Sequence, residues 1–496
     1  MAFIGLDVGT TGIKGLLVDE KGKILGKSEY SLRLFSPKPG WAEQNPEEWW
    51  NGTKKVLSEL SKIAKERQKE ILAISNSGQM HSLVMLDEFG RVLSNSILWC
   101  DQRTADECQF LTNSLGGIKK VIEIIGNPIL PGFTAGKILW AKKNLSEEFK
   151  KVKKFLLPKD FINFKLTGNF ATEHSDASGT AMYDIKTRKW SKKILDIIGI
   201  REEQLPTIIN SYGIVGKLNK ELAKELGINP ETLIIAGGAD NACAALGVGV
   251  VNPLQGMISL GTSGTVLVPS FDDTPDFEGR VHLFAHVVDK LNYYMGVMLS
   301  ATNTLNWFMN LLSEEDLNRV NEMVEKIPVG SRGVYFLPYL NGERTPHNNP
   351  YARGVIFGLS SSHSKAEVYR AIFEGVGYAI RDCFSSLPKK NLEDLRITGG
   401  GSKSKAWVSI ISNILGMELT LLSNMEGAAY GAAILAYSGY SNQPPEEIAS
   451  MWVEKKEVIS HSKDLHNVYE KYYEIFRKIY SSLESVFYDL KDLDIE

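Results

Sequence analysis

The sequence predicts an α/β protein built by duplication of one domain around a central cleft. Three observations carry this reading: a length of 496 residues, a strand–turn–strand motif that occurs twice, and strands that alternate with helical stretches. Single hydrophobic cores stop growing at roughly 250–300 residues, so two large domains are expected. The apolar share of 43% and charged share of 23% are those of a soluble globular chain.

The elements follow in order. Residues 3–8 are apolar except for Asp7 and read as a strand. Gly9-Thr10-Thr11-Gly12 is a turn, and 13–18 is a second strand. Asp19-Glu20-Lys21-Gly22 turns the chain into a third strand over 23–27. Asn45-Pro46-Glu47-Glu48 is a helix start: a capping side chain, proline at the first position, and acids in the first turn. Helices are expected over 46–68, 134–145 and 216–226. Leu233 opens a buried strand that ends at Gly237-Gly238, and a helix follows from Ala242. The opening motif then returns: Ile258-Ser259-Leu260-Gly261-Thr262-Ser263-Gly264, with a strand over 265–268. The two copies lie about half a chain apart, which places domains at 1–248 and 249–496, with the join near the glycines and proline of 247–253. A strand over 395–397 leads into Thr398-Gly399-Gly400-Gly401-Ser402 and then a helix. The small residues of 427–433 read as a tightly packed helix. The amphipathic stretch 465–490 is expected to pack on its own domain, with a homodimer contact as the alternative.

Several function classes are excluded. The net charge is −3 with no basic block, so a nucleic-acid footprint is not expected. Four cysteines without a Cys-x-x-Cys pair make neither a disulfide framework nor a structural zinc site. His282 and His286 have a metal-like spacing but sit in a strand or loop pattern with no Glu between them. No basic leader precedes an apolar stretch at the N-terminus, and no apolar run approaches the roughly 18 residues of a membrane span. A cytoplasmic location is expected.

The paired turns are candidate phosphate sites. A glycine-bounded turn lets successive backbone N–H groups point into one concavity, and Thr and Ser hydroxyls add donors without charge. One copy alone reads as an ordinary hairpin; two facing copies make a cleft that grips a polyphosphate from both sides. Asp7 of the first copy is replaced by Ser259 in the second. A carboxylate beside a phosphate needs a cation between them, so Asp7 is the candidate for holding Mg²⁺, with a backbone-satisfied turn acid as the alternative. The glycines at 399–401 allow a flat ring to approach the backbone. Other nucleotide motifs fail: Gly132-Phe-Thr-Ala-Gly136-Lys137-Ile138 is one residue short of a P-loop and carries Ile where the metal-binding hydroxyl belongs.

Asp240 lies where a strand ends and a helix begins, a frequent functional position in α/β folds. The alternative is a helix N-cap. A helix N-terminus favours the ionised carboxylate that a general base needs. Phosphoryl transfer to an alcohol asks little more of a protein than charge neutralisation and one carboxylate to take the hydroxyl proton.

Beyond these arguments, the chain resembles the FGGY carbohydrate kinases over nearly its whole length, most closely those acting on D-xylulose. The resemblance is carried by Gly5-Leu-Asp-Val-Gly-Thr-Thr-Gly12, Gly78-Gln-Met-His81, Leu156-Leu-Pro-Lys-Asp160, Gly237-Gly-Ala-Asp-Asn241, Leu260-Gly-Thr-Ser-Gly264 and Asn341-Gly-Glu-Arg-Thr-Pro-His347. It implies two actin-like, ribonuclease-H-like domains that close on substrate, with ATP mainly on the C-terminal one and sugar on the N-terminal one. By position, it implies Asp240 as the base, and Gln79, Met80, His81 and Asn241 at the sugar. Gly261, Thr262, Gly400 and Gly401 match nucleotide contacts, and the turn residues Gly9, Thr10 and Thr11, with Ser402 of the third glycine cluster, are expected to bind the nucleotide with them. Ser82 departs from the pattern, where many such kinases carry glycine; it adds a hydroxyl to the sugar pocket or lines its backbone. The rivals are a kinase of the same family for ribulose, fuculose, rhamnulose, gluconate or glycerol, and a non-enzymatic actin-like nucleotide-binding protein.

Overall fold

The computed structural model describes residues 1–388, 391–424 and 426–490. Two mixed sheets dominate it. The first contains β1 (Ala2–Val8), β2 (Gly12–Asp19), β3 (Ile24–Ser31), β4 (Ile71–Gly78), β5 (Ile214–Lys217) and β6 (Leu233–Ala239), in the order β5-β6-β4-β1-β2-β3. The second contains β7 (Gln255–Leu260), β8 (Gly264–Ser270), β9 (His282–Ala285), β10 (Asn292–Met298), β11 (Asp394–Thr398), β12 (Leu419–Leu422) and β13 (Lys455–Ile459), in the order β9-β10-β8-β7-β11-β12-β13.

The duplication is visible pair by pair. In the first sheet β1 runs antiparallel to β2 and parallel to β4, β2 is antiparallel to β3, β4 is parallel to β6, and β6 is antiparallel to β5. In the second, β7 runs antiparallel to β8 and parallel to β11, β8 is antiparallel to β10, β11 is parallel to β12, and β12 is antiparallel to β13. This shared order is the actin-like, ribonuclease-H-like topology, and β9 is an addition to the second copy. The register equates Asp7 with Ser259: Asp7 lies opposite Ser77 on its parallel neighbour, and Ser259 lies opposite Thr398 on its own.

Eight helices matter for the site: α1 (Pro46–Glu66), α2 (Thr134–Asn144), α3 (Pro158–Thr167), α4 (His174–Ser178), α5 (Asp240–Gly247), α6 (Lys405–Leu415), α7 (Gly427–Ser441) and α8 (Lys463–Asp489). The Asn45 side chain caps α1 by accepting the Glu47 N–H at 3.0 Å, with Pro46 at the first position. One expected helix starts late. Residues 214–217 belong to edge strand β5, and the helix is Lys220–Leu226, capped by Asn219, which accepts from Glu221 N at 3.0 Å. Sheet pairing to β6 outweighs the local helical pattern there.

Helix α7 joins the halves. It comes from the C-terminal half yet lies against β1 and α5 of the N-terminal half. A Cβ on Gly5 would stand 2.1 Å from the Ala429 carbonyl oxygen, and one on Gly431 would stand 1.9 Å from that of Cys243. The small residues therefore permit backbone-to-backbone contact. Helix α8 packs on its own half and buries Tyr469, Tyr473 and Phe476. Tyr469 donates to Glu374 at 3.0 Å and Tyr473 to Asp382 at 2.5 Å.

Candidate active site

The two glycine turns cap the ends of equivalent strand pairs. Gly9 N–H donates to Gly12 O at 3.0 Å and closes the first turn. In the second, Thr302 N–H and Oγ1 both donate to Gly261 O at 2.9 Å, and Ala301 N–H donates to Thr262 O at 2.9 Å. The amides of Thr10, Thr11, Thr262 and Ser263 find no partner among the described residues. Unpaired N–H groups at a turn are the donors an anion requires.

The third glycine cluster lies on the second turn. Gly399 has φ +91°, and a Cβ there would stand 2.7 Å from the Leu260 carbonyl, so only glycine fits. Gly400 has nothing within 4 Å of that position. It faces a cavity of about 350 Å³ whose wall includes Thr302, Leu305, Asn306, Met309 and Gly401. Ser402 turns inward: its hydroxyl donates to Gly399 O at 2.8 Å and closes the turn.

Asp7 Oδ1 is buried without a hydrogen-bond partner among the described residues. Lys14, opposite it on β2, is drawn away to Glu426 at 3.2 Å and Glu29 at 3.4 Å. Burial raises the Asp7 carboxyl above its ordinary value, against the Ser77 hydroxyl and the Lys14 charge. An orphaned buried carboxylate oxygen fits a Mg²⁺ ion, which typically takes one or two protein carboxylates and fills its shell with water and phosphate.

Asp240 is the first residue of α5, and Ala239 is the N-cap. Its Oδ1 accepts from Asn241 N at 2.7 Å and from Asn241 Nδ2 at 2.9 Å. Burial first, and then the charge of Asp7, push its carboxyl up to about 7 against the Asn241 donors. Desolvation is the largest contribution to that shift.

A buried network stands behind Asp240. Ala239 N–H donates to Ser175 Oγ at 2.9 Å, and Ser175 Oγ donates to Glu173 Oε1 at 2.8 Å. Lys159 Nζ, fully buried, lies 3.7 Å from Glu173, 3.6 Å from Asp176 and 2.5 Å from Asp160. Lys159 was quoted in the sequence only as part of a motif, and nothing local marks it as central. The convergence of α3, α4 and β6 does.

The Gln79-Met80-His81 segment follows β4. Gln79 is buried, and its amide is engaged: Thr10 Oγ1 donates to Oε1 at 3.1 Å, and Nε2 donates to Gln44 Oε1 at 3.1 Å. Met80 is buried. His81 has φ +68°, a left-handed backbone that non-glycine residues seldom adopt. Its ring stacks on Phe133 with centroids 4.5 Å apart, and its carbonyl accepts from Lys137 Nζ at 2.9 Å. Burial holds its pKa well below the ordinary 6.5 despite the Gly179 carbonyl, with Lys137, His282 and Arg344 adding to the lowering. The imidazole is therefore neutral. Nδ1 lies 2.5 Å from Gly179 O, which can only accept, so Nδ1 carries the hydrogen and Nε2 is an acceptor. Ser82 is fully buried, with its hydroxyl 3.4 Å from Gln79 Oε1 and Met80 O, so it lines the backbone. His282 is engaged with Asn127 Oδ1 at 3.1 Å.

Two actin-like halves, each with an amide-lined turn at the end of an equivalent strand pair, define a phosphate-binding cleft of the actin-like class. The comparisons with known proteins narrow the class. The N-terminal domain of the FGGY family of carbohydrate kinases matches residues 2–247, and its C-terminal domain matches residues 256–440. The chain belongs to the FGGY family of carbohydrate kinases. It is 37% identical to the xylulose kinase of Bacillus subtilis over 96% of each chain. Among solved structures it superposes with a TM-score of 0.92 on the ligand-bound xylulose kinase of Lactobacillus acidophilus, at 29% identity over 99% of each chain. A gluconate kinase of the same organism matches equally, with a TM-score of 0.92 and 29% identity over 99% of each chain. Overall shape thus does not separate the two sugars. No helix among the described residues is long and apolar enough to cross a membrane.

Proposed function

We propose that the chain phosphorylates D-xylulose at its C5 hydroxyl, with ATP as donor and Asp240 as general base. The observation that carries the chemistry is the partly buried Asp240 carboxyl at the start of α5, raised to about 7 by desolvation and by Asp7. As the hydroxyl oxygen forms its bond to the γ-phosphorus, the bond from phosphorus to the β,γ-bridging oxygen breaks. The hydroxyl proton goes to Asp240, and the bond's electron pair leaves with ADP. Asp7 would hold Mg²⁺, which supplies neutralising charge for the phosphoryl oxygens. The free amides of Thr10, Thr11 and Thr262 serve the phosphates, and the cavity beside Gly400 and Gly401 takes the base of the nucleotide. Closure of the halves excludes water from the γ-phosphate.

D-xylulose is favoured over the other sugars by the Gln79-Met80-His81 segment and by the near full-length likeness to the Bacillus subtilis xylulose kinase. The equal fold likeness to a gluconate kinase makes gluconate the second reading. ADP release measured with D-xylulose, D-ribulose, D-gluconate and glycerol separates them. Strong stimulation by D-xylulose alone is expected. Stimulation by gluconate alone would replace the substrate, and hydrolysis indifferent to every sugar would remove the kinase reading.

A further inference from the structure

Arg344 lies in the C-terminal half, on the loop that follows the strand Tyr335–Leu337. Its backbone is held on both sides. Glu343 Oε1 accepts from Leu299 N at 2.9 Å and from Arg344 N at 2.7 Å, and Arg344 O accepts from Asn348 N at 2.5 Å. Thr345 N–H donates to Val297 O at 2.9 Å, and its hydroxyl donates to Arg280 O at 2.7 Å. The guanidinium, by contrast, makes no hydrogen bond or ion pair among the described residues. It crosses to the N-terminal half: Nη2 lies 3.9 Å from the point a Cβ would occupy on Gly132, and its charge acts on His81. Burial pulls it below its ordinary pKa although Glu343 stands beside it. A partly buried guanidinium on a rigid loop, with five donors unused, is costly unless a ligand completes it.

The N-terminal wall lacks what Arg344 offers. Neutral His81 has spent its N–H on Gly179 and presents an acceptor. Gln79 Nε2 is committed to Gln44, Lys137 Nζ donates to the carbonyls of His81 and Gly132, and Trp99 Nε1 donates to Thr10. His81 Nε2 can therefore receive a sugar hydroxyl, but it offers no donor to a ketone carbonyl, which only accepts.

Resting on the reading that the sugar lies along the His81 segment, we propose that Arg344 is a specificity-determining residue. Its guanidinium donates to the carbonyl and adjacent hydroxyl oxygens of an acyclic ketose, contributed across the cleft by the opposite half. The fork of two parallel N–H groups suits vicinal oxygens, which a lysine cannot match.

Arg344→Gln and Arg344→Lys would be compared with the wild type by steady-state kinetics, using the sugar from the panel that stimulates ADP release. The expected result is a rise of about ten- to hundredfold in the sugar KM, smaller for Lys, with the ATP KM within about twofold. The preference for the ketose over the pentitol lacking its carbonyl should shrink. Melting temperatures read beside the kinetics identify a misfolded Gln variant, in which case the Lys variant decides. An unchanged sugar KM, or a lowered kcat with unchanged sugar KM, would overturn the proposal while leaving the kinase reading intact. No stimulation of the wild type by any sugar would remove both.

Discussion

The hydroxyl of Thr10 donates to Gln79 Oε1 at 3.1 Å, tying the Gly9–Gly12 turn to the segment that follows β4. The same hydroxyl accepts from Trp99 Nε1 at 2.9 Å. Gln79 thus works as a strut between two sites, and its own amide does not face the cleft. Gln79→Ala should raise the KM values for ATP and sugar together, each by roughly three- to tenfold, and lower stability by about 1–2 kcal/mol. A change in the sugar KM alone would show that the strut is not shared. Kinetics with each substrate varied in turn, plus urea unfolding, checks this.

Asp240 carries a pH signature. Its folded-state pKa of about 7 stands above the ordinary 3.8, so the fold favours the protonated form. That stabilisation is complete below 3.8 and is lost as the pH rises through about 7. At pH 8 the ionised carboxylate therefore strains the free protein, by at most about 4 kcal/mol at 1.36 kcal/mol per pKa unit. Asp240→Asn should be inactive yet more stable than the wild type at pH 8, and equally stable near pH 4. For the wild type, kcat/KM should climb to a plateau above about pH 7. Asp240→Asn turning over at near wild-type rate would dismiss the base assignment.

Lys159 offsets three buried carboxylates. Lys159→Met leaves them without a cation and should cost about 3–5 kcal/mol at pH 8. Burial already raises the Asp160 and Asp176 carboxyls, and removing the ammonium raises them further. At pH 5 they take up protons, so the loss should be smaller there. Thermal unfolding at the two pH values tests the sign; an equal loss at both would refute it.

Gly431→Ala places a methyl where 1.9 Å separates it from the Cys243 carbonyl oxygen. Helix α7 must then move off α5, whose first residue is Asp240. A loss of at least about 2 kcal/mol is expected, together with lower activity. Gly400→Ala, which meets nothing within 4 Å, should leave stability unchanged and raise the ATP KM. Denaturation and kinetics on this pair separate packing from ligand contact.

Much was legible before the fold. The turns at Gly9 and Gly261 announce themselves by residue type, and the capping signal at Asn45 is local. Strand β5 was not legible, because an edge strand is decided by its neighbour β6. Nor was the burial of Gln79 and Ser82, since one amide and one hydroxyl look alike whether they face a cleft or the Thr10 turn.

The sequence by itself determined the duplicated α/β plan, the paired phosphate turns, the FGGY kinship, and Asp240 as the carboxylate to watch. These are carried by residue type and order along the chain. The electrostatics came from the packing of the halves: the Asp240 carboxyl raised to about 7, His81 neutral with an accepting Nε2, and Arg344 reaching the opposite half without a partner among the described residues. Ionisation depends on desolvation and on charges from distant segments, and those distances exist only once the two halves are packed.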